Sequence, residues 1–258
     1  MVIISRNEAH LLEDCFASAS WADEIIVLDM HSADETAELC SRHRVRRVLV
    51  DIHPYAEAVR NTGLEEARGD WILMLDPDER VSRKLASEIR ELVTNSSAAA
   101  YAIPRKNLIF GIWARTMGWW PDSQTRLFRA GAASYVGRVH ETATIRGAVH
   151  FLPEEPAVAL VHVNYVSLAQ FVEKLNRYTT AIATNLDEAG VRFQWWKLAY
   201  RPGREFLKRF VLYGGAKQGV FGLLLSGLMG CYEFVTWAKL WELQRPARAS
   251  DAGEKDIA

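Results

Sequence analysis

The amino-acid sequence predicts an α/β fold: a mostly parallel sheet flanked by helices, followed by a C-terminal helical extension. Three observations carry this. Through the first hundred residues, short apolar runs alternate with segments of helical period, at spacings that suit right-handed βαβ units. Three of those runs end in an acid, at Asp29, at Asp51 and at the cluster Asp76-Pro77-Asp78-Glu79. Beyond Tyr165 the alternation stops and helical periodicity alone remains.

The elements follow in order. Val2-Ile3-Ile4 is a short strand. Ser5 and Glu8 have the spacing of a helix-capping box, with Leu11, Leu12, Cys15 and Phe16 as the buried stripe of the next helix. Ile25 to Leu28 is a second strand, and Ser32 to Thr36 opens a helix running through Leu39 and Cys40. Val45 to Val50 is a third strand, and a helix over 56–67 carries Arg60 and Asn61. Trp71 to Leu75 is the central strand: five apolar residues entered from Gly69-Asp70 read as buried on both faces. Ser82 to Val93 is a helix. Tyr101 to Pro104, Gln124 to Arg129, Thr142 to Ile145 and Val158 to Val163 are further strands, with a tryptophan-rich loop from Gly111 to Trp120 that suits sugar rings or an ordinary core.

Composition excludes some classes. The chain has 258 residues, 49% hydrophobic, and a net charge of −1, enough for one large domain or a domain with an appendage. Near-neutrality argues against nucleic acid as a partner. Cys15, Cys40 and Cys231 are too far apart for a metal motif or a disulfide framework, which predicts a reducing, cytoplasmic setting. The N-terminus begins in an apolar strand without the pattern of a signal peptide.

Chemistry concentrates after the central strand. A buried strand gains no stability from clustered carboxylates, which repel and are costly to desolvate. At the carboxyl end of a strand in an open sheet, such a cluster suits a bound cation. Asp76 and Asp78, two apart, can face the same way if the segment is extended. Hard oxygen ligands beside phosphate suit Mg2+ or Mn2+. There is no Gly-x-Gly-x-x-Gly and no Walker loop, so a nucleotide diphosphate would be held by the metal rather than by a glycine cradle. Asp29 suits a ribose or base contact, or a turn. Arg60 or Asn61 can reach a phosphate or base, or form a solvated helix face, and Arg126 can face phosphates.

These stretches resemble the family 2 inverting glycosyltransferases of GT-A (Rossmann-like) fold. The likeness runs through Ile3-Ile4-Ser5-Arg6-Asn7-Glu8, Ala22 to Asp29 with Ser32, Asp34 and Thr36, then Arg60-Asn61 and Gly69 to Glu79. Arg105-Lys106-Asn107, Gly118 to Asp122, Gln124 to Arg129 and Val139-His140-Glu141 further resemble the subgroup that builds lipopolysaccharide cores. Pro77 stands where Ala is usual, and no Gln-x-x-Arg-Trp signature of processive synthesis occurs. The resemblance implies a nucleotide-sugar donor, a UDP-sugar first, and a glycolipid or lipopolysaccharide-core acceptor. It implies donor contacts from Asn7, Glu8, Asp29, Asp34, Arg60, Asn61, Asp76 and Arg126, and a metal at Asp78 and Asp76. Glu141 is then the first choice of base for the acceptor hydroxyl and Asp122 the second, with His140 orienting, while His162 reads as a satisfied structural histidine. Residues 1–100 would form the donor half, 101–165 the acceptor half, 166–245 a helical membrane-associating region and 246–258 a disordered tail.

Three other classes fit parts of the pattern. A phosphatase-type aspartyl hydrolase also carries Asp-x-Asp after an apolar strand, but not Glu79-Arg80 next. A sugar nucleotidyltransferase would want a glycine-rich basic loop where Arg6-Asn7-Glu8 stands. A non-catalytic membrane scaffold of the same fold would not need the acids. In the extension, helices are expected over 167–185, 204–213 and 219–243. Seven basic residues against the single acid Glu205 lie between Arg192 and Lys217, mixed with Trp195, Trp196 and Tyr200. That mixture favours the headgroup zone of the inner leaflet. Phe206, Phe210 and Tyr213 are the expected apolar face. The uncharged run Gly219 to Tyr232 is short for a span, and its small residues Gly222, Ser226 and Gly230 also suit packing on another helix.

Overall fold

A computed structural model describes residues 1–53, 56–135 and 143–245. The chain divides into two units, the first built from residues 1–115 and 119–164, the second from Thr116–Gly118 and the chain from Tyr165 onward. The tail expected to be disordered, 246–258, lies outside the described residues.

In the first unit, β1 (Val2–Ser5), α1 (Ala9–Ala19), β2 (Ile26–Asp29), α2 (Thr36–Arg42) and β3 (Arg46–Leu49) lead through a 3-10 turn (Ala56–Val59) into α3 (Arg60–Glu66) and β4 (Trp71–Leu75). Three-residue β5 (Glu79–Val81), α4 (Arg83–Asn95), β6 (Ala100–Ile103), β7 (Arg105–Ile109), β8 (Ile112–Trp113) and β9 (Gln124–Arg129) follow. Short strands β10 (Ala133–Ser134), β11 (Thr144–Ile145) and β12 (Val149–Phe151) precede β13 (Leu160–Tyr165). Seven strands form one sheet in the order β12-β6-β9-β4-β1-β2-β3.

Strand alternation sends the side chains of this sheet to two cores. Ile3, Val27, Leu73 and Leu75 join one with Leu12, Cys15 and Phe16 of α1 and Leu85 and Ile89 of α4. Val2, Ile4, Ile26, Leu28, Ile72 and Met74 join the other, on the α3 side. Helices on both faces explain why these strands are near-continuous apolar runs. β4, β1, β2 and β3 are mutually parallel, as expected, whereas β9 runs antiparallel to both β4 and β6.

Two local expectations change. Ser5 closes β1 and is buried, and Glu8 makes no side-chain cap at the start of α1. The Ala9 amide instead donates to Asp34 Oδ2 at 2.9 Å, so the capping anion comes from a distant loop. The acid cluster also does not stay extended: Glu79 N donates to Asp76 O at 2.9 Å, closing a turn. Glu79–Val81 then forms β5, the edge of a second sheet ordered β5-β13-β7-β8, in which His162 lies opposite Glu79.

The second unit contains α5 (Leu168–Glu188), α6 (Lys197–Leu207), a π turn (Lys208–Leu212), a 3-10 turn (Gly215–Gln218) and α7 (Gly219–Gln244). α6 starts seven residues earlier than the periodicity suggests, with Pro202 inside it. Phe206 and Phe210 stack at 5.4 Å and are half-buried, while Leu207, Val211, Leu212 and Tyr213 are exposed, so the outward face differs from the one expected. The small residues of α7 serve close packing. A Cβ at Gly222 would lie 1.9 Å from the Gly215 carbonyl oxygen, and one at Gly230 would meet the Pro202 carbonyl at 3.2 Å. Part of the tryptophan-rich loop belongs here, since Met117 N donates to Tyr213 O at 2.9 Å and the Arg209 guanidinium to Met117 O at 2.6 Å.

Candidate active site

The turn after β4 gathers charge from three directions. Asp76 faces Arg126 of β9, which pairs with its Oδ2, and Arg60 of α3, 3.6 Å from its Oδ1. Glu79, wholly buried, accepts from Asp76 N at 3.0 Å, Arg126 at 3.1 Å and Arg105 of β7 at 3.3 Å. Burial alone would push the Asp76 carboxyl up, but Arg126, Arg60 and Arg105 outweigh it and hold the group down at about 2. The same pairings, against burial, raise the Arg126 guanidinium further. Sequence reasoning missed Glu79 and Arg105. Strong burial of an acid that follows two others is invisible until β5 is placed.

Asp78 turns the other way. Its Oδ2 lies 3.3 Å from His162 Nε2. The ring's other nitrogen, Nδ1, lies 2.6 Å from Asn107 Oδ1. The Asn107 amide nitrogen is already donating to Asp122 Oδ2 at 3.0 Å and Trp119 O at 3.1 Å, so its oxygen faces the ring. Nδ1 therefore donates to Asn107, and in the tautomer that leaves Nε2 bare its lone pair turns toward a carboxylate oxygen. Two facing acceptors want a positive charge between them, supplied by an imidazolium proton or by a cation. A carboxylate with open positions suits Mg2+ or Mn2+, and of the two Mn2+ is the one that also accepts an imidazole nitrogen. Among the described residues no group of three or more His, Cys, Asp or Glu is placed to hold a metal ion, so phosphate oxygens or water would complete the shell. His162 is thus both held by Asn107 and aimed at Asp78, which the reading of a purely structural histidine did not include. Of the expected pair, Asp76 is committed to two arginines and Asp78 is not.

Asp122 is heavily bonded. Arg105 donates from Nε at 2.8 Å and from a terminal nitrogen at 2.6 Å, Asn107 at 3.0 Å and Gln124 at 2.8 Å. Burial raises its pKa, but Arg105, Asn107 and Gln124 outweigh burial and hold the carboxyl below its usual range. That is an anion built to organise neighbours, and a weak proton acceptor.

The donor-side residues divide by what they touch. Asn7, in the left-handed region at φ 56°, donates its amide to Ser32 Oγ at 2.9 Å and accepts from Ala33 N at 2.8 Å, joining the loops after β1 and β2. Glu8 sits at the head of α1. Asp29 is buried and accepts from Ser32 N at 2.8 Å and Arg47 Nε at 2.7 Å. Asp34 bonds Thr36 Oγ1 at 2.6 Å besides the Ala9 amide. Asn61 exchanges two bonds with the Tyr135 backbone, at 2.7 and 2.9 Å, and Arg60 lies over the Tyr135 ring at 5.4 Å. His140 and Glu141 belong to the stretch 136–142 that follows Tyr135. Those two residues lie outside the described residues. In the tryptophan-rich loop, Trp113 packs edge-on against Trp120 at 5.5 Å under Lys106 and Arg115.

Known proteins resemble this chain along its length. The lipopolysaccharide core biosynthesis glycosyltransferase LpsC of Rhizobium meliloti is 26% identical, over 93% of this chain and 90% of its own. An uncharacterised glycosyltransferase of Rickettsia typhi is 24% identical, over 99% of this chain and 90% of its own. Among solved structures, the mannosyltransferase PcManGT of Pyrobaculum calidifontis, determined with GDP-Man and Mn2+, superposes with a TM-score of 0.54 at 16% identity. It covers 95% of this chain and 87% of that one, a likeness of fold. The fold is GT-A. The model of glycosyl transferase family 2 matches residues 1–150. With more than half its length inside that family's pattern, and with a strand-end acid cluster set among arginines, the chain belongs to glycosyl transferase family 2 and is a glycosyltransferase that uses a nucleotide-sugar donor.

Proposed function

We propose that this enzyme transfers a sugar, with inversion, from a nucleotide-sugar donor to a lipopolysaccharide-core or other lipid-linked glycan. A UDP-sugar is the first expectation for the donor, and the cytoplasmic face of the inner membrane is the expected location. The observation that carries the reading is the charge arrangement behind β4. His162 Nε2 and Asp78 Oδ2 face each other at 3.3 Å, beside a carboxylate already surrounded by arginines. Asp78 and His162 would hold Mg2+ or Mn2+. The cation would supply stabilisation of the charge that develops on the leaving diphosphate. Arg60 and Arg126 stand close enough to Asp76 to offer the same diphosphate a second source of positive charge. Inversion is a single displacement, so the chain needs a base and no covalent nucleophile. Glu141 is the proposed base, with His140 to orient it. Asp122 is given instead the task of holding Arg105 and, through Asn107, the ring of His162. The acceptor class is supported by the resemblance to LpsC, and the metal by the Mn2+ found with PcManGT.

The test is direct. The purified chain is incubated with UDP-, GDP- and ADP-sugars with Mg2+ or Mn2+, and transfer to truncated lipopolysaccharide cores is scored. Mn2+ binding in the presence of each free nucleotide is measured by calorimetry. Asp78→Asn and His162→Ala should each weaken nucleotide-dependent Mn2+ binding and lower turnover by about a hundredfold or more, the scale of one lost electrostatic stabiliser. Metal-independent transfer by both variants at the wild-type rate would remove the metal assignment. Transfer to soluble sugars alone would remove the acceptor assignment.

A further inference from the structure

The last helix is built inside out. A helix on a protein surface ordinarily turns its charges outward and its apolar stripe inward. Two of the three charged residues of α7 turn toward its neighbours: Lys239 donates to Asn176 Oδ1 at 2.7 Å and Thr180 Oγ1 at 2.6 Å on α5, and Glu233 faces Arg201 of α6 at 3.9 Å, while Glu242 near the C-terminal end is exposed. Its exposed large apolar side chains include Val220, Leu223, Leu224, Phe234 and Trp241, with Val220 82% exposed. Cys231 is exposed on the same stripe. The turns that pack against the start of α7 add Val211, Tyr213 and Leu212, the last 77% exposed.

Around the first half of α7 the charge has one sign. From Arg192 to Tyr232 the single acid is Glu205, and it is buried between Lys208 and Arg209. Four exposed aromatic rings of this unit carry a cation: Lys197 over Trp196 at 5.6 Å, Arg204 over Tyr200 at 6.0 Å, Lys208 over Tyr213 at 5.7 Å and Arg245 over Trp241 at 4.6 Å. An apolar face bordered by aromatic rings and an excess of cations complements one surface, an anionic bilayer, where the rings sit at headgroup level and the cations meet lipid phosphates.

We propose that the outward face of α7, with the turns of residues 208–218, docks on an anionic membrane surface, α7 lying in the plane of that surface without crossing it. The segment Gly215–Gln244 is long and apolar enough to cross by length and composition. Its inner face is committed elsewhere: Trp237 and Leu240 are buried with Ala183 of α5, and Lys239 ties it to a helix rich in charge. The inference deepens the lipid-linked acceptor reading and takes its purpose from it, but its physical basis is the surface alone.

Its experiment is co-sedimentation of the full chain with phosphatidylglycerol–phosphatidylethanolamine vesicles and with phosphatidylcholine vesicles, as salt rises. Binding should favour the anionic vesicles and weaken with salt. The double variant Val220→Gln/Leu224→Gln should lower vesicle affinity by about tenfold or more, since two large apolar groups no longer enter the interface. Phe151→Ser, an exposed apolar residue of the other unit, should leave it unchanged. Circular dichroism and nucleotide binding confirm that each variant is folded. A chain that stays in the supernatant at low salt, or a double variant that binds like wild type, overturns the proposal. So does a dimer in light scattering that the double variant breaks, which would make a second copy the occupant. Resistance to alkaline carbonate would mean a crossing helix. Vesicle binding without transfer to a lipid-linked core would leave this surface standing and reject the acceptor reading.

Discussion

Glu79 and Arg126 meet at 3.1 Å inside the first unit, the acid wholly buried and its partner nearly so. Glu79 also takes Arg105, so one carboxylate joins β7 and β9 beneath the Asp76 turn. Glu79→Gln would place an amide group against two guanidinium groups and leave positive charge unbalanced in the core. The expected loss of stability is about 3–5 kcal/mol, the range for breaking a buried pair from one side. Chemical denaturation measures it. A loss within experimental error would mean that the arginines find other partners.

Acid should loosen the same cluster. The Asp76 carboxyl is held at about 2 against an ordinary 3.8. Its folded value lies below its unfolded value, so its contribution to stability is complete above the unfolded value. The contribution is lost as pH falls from about 4 toward 2. Asp76→Asn should flatten the stability–pH curve in that window, relative to wild type. An unchanged slope would show that other carboxylates carry the acid response.

The two candidate bases separate cleanly by substitution. Glu141→Gln should preserve donor binding and lower transfer by 10²- to 10⁴-fold, roughly the value of general-base catalysis. Asp122→Asn should instead disturb Arg105 and Asn107, and with Asn107 the His162 ring that it holds, lowering Mn2+ affinity and stability together. If Asp122→Asn alone abolishes transfer while metal binding and folding persist, the two roles exchange.

Asp34 is the cap of α1 from outside it. Asp34→Ala should cost about 1 kcal/mol, as loss of a helix cap does. Glu8→Ala should cost less, because Glu8 makes no side-chain cap. Equal losses in thermal unfolding would place the cap at Glu8 after all.

What could be read from the chain was whatever depends on period and neighbours. The parallel set β1 to β4, the placement of acids at strand ends and the Ser82 cap of α4 follow from local pattern, because a buried strand must be apolar and a helix must satisfy its first amides. The family motifs are local as well, and they brought Asp76, Asp78, Arg60 and Arg126 to attention. Long-range pairing decided the rest. β9 inserted antiparallel between β4 and β6 delivers Arg126 to Asp76, and β13 against β5 delivers His162 to Asp78. Neither register is encoded near the residues it unites. The direction of α7 was hidden for the same reason: its composition is apolar almost throughout, and only the helices packed against it determine which apolar residues are core and which are left for another surface.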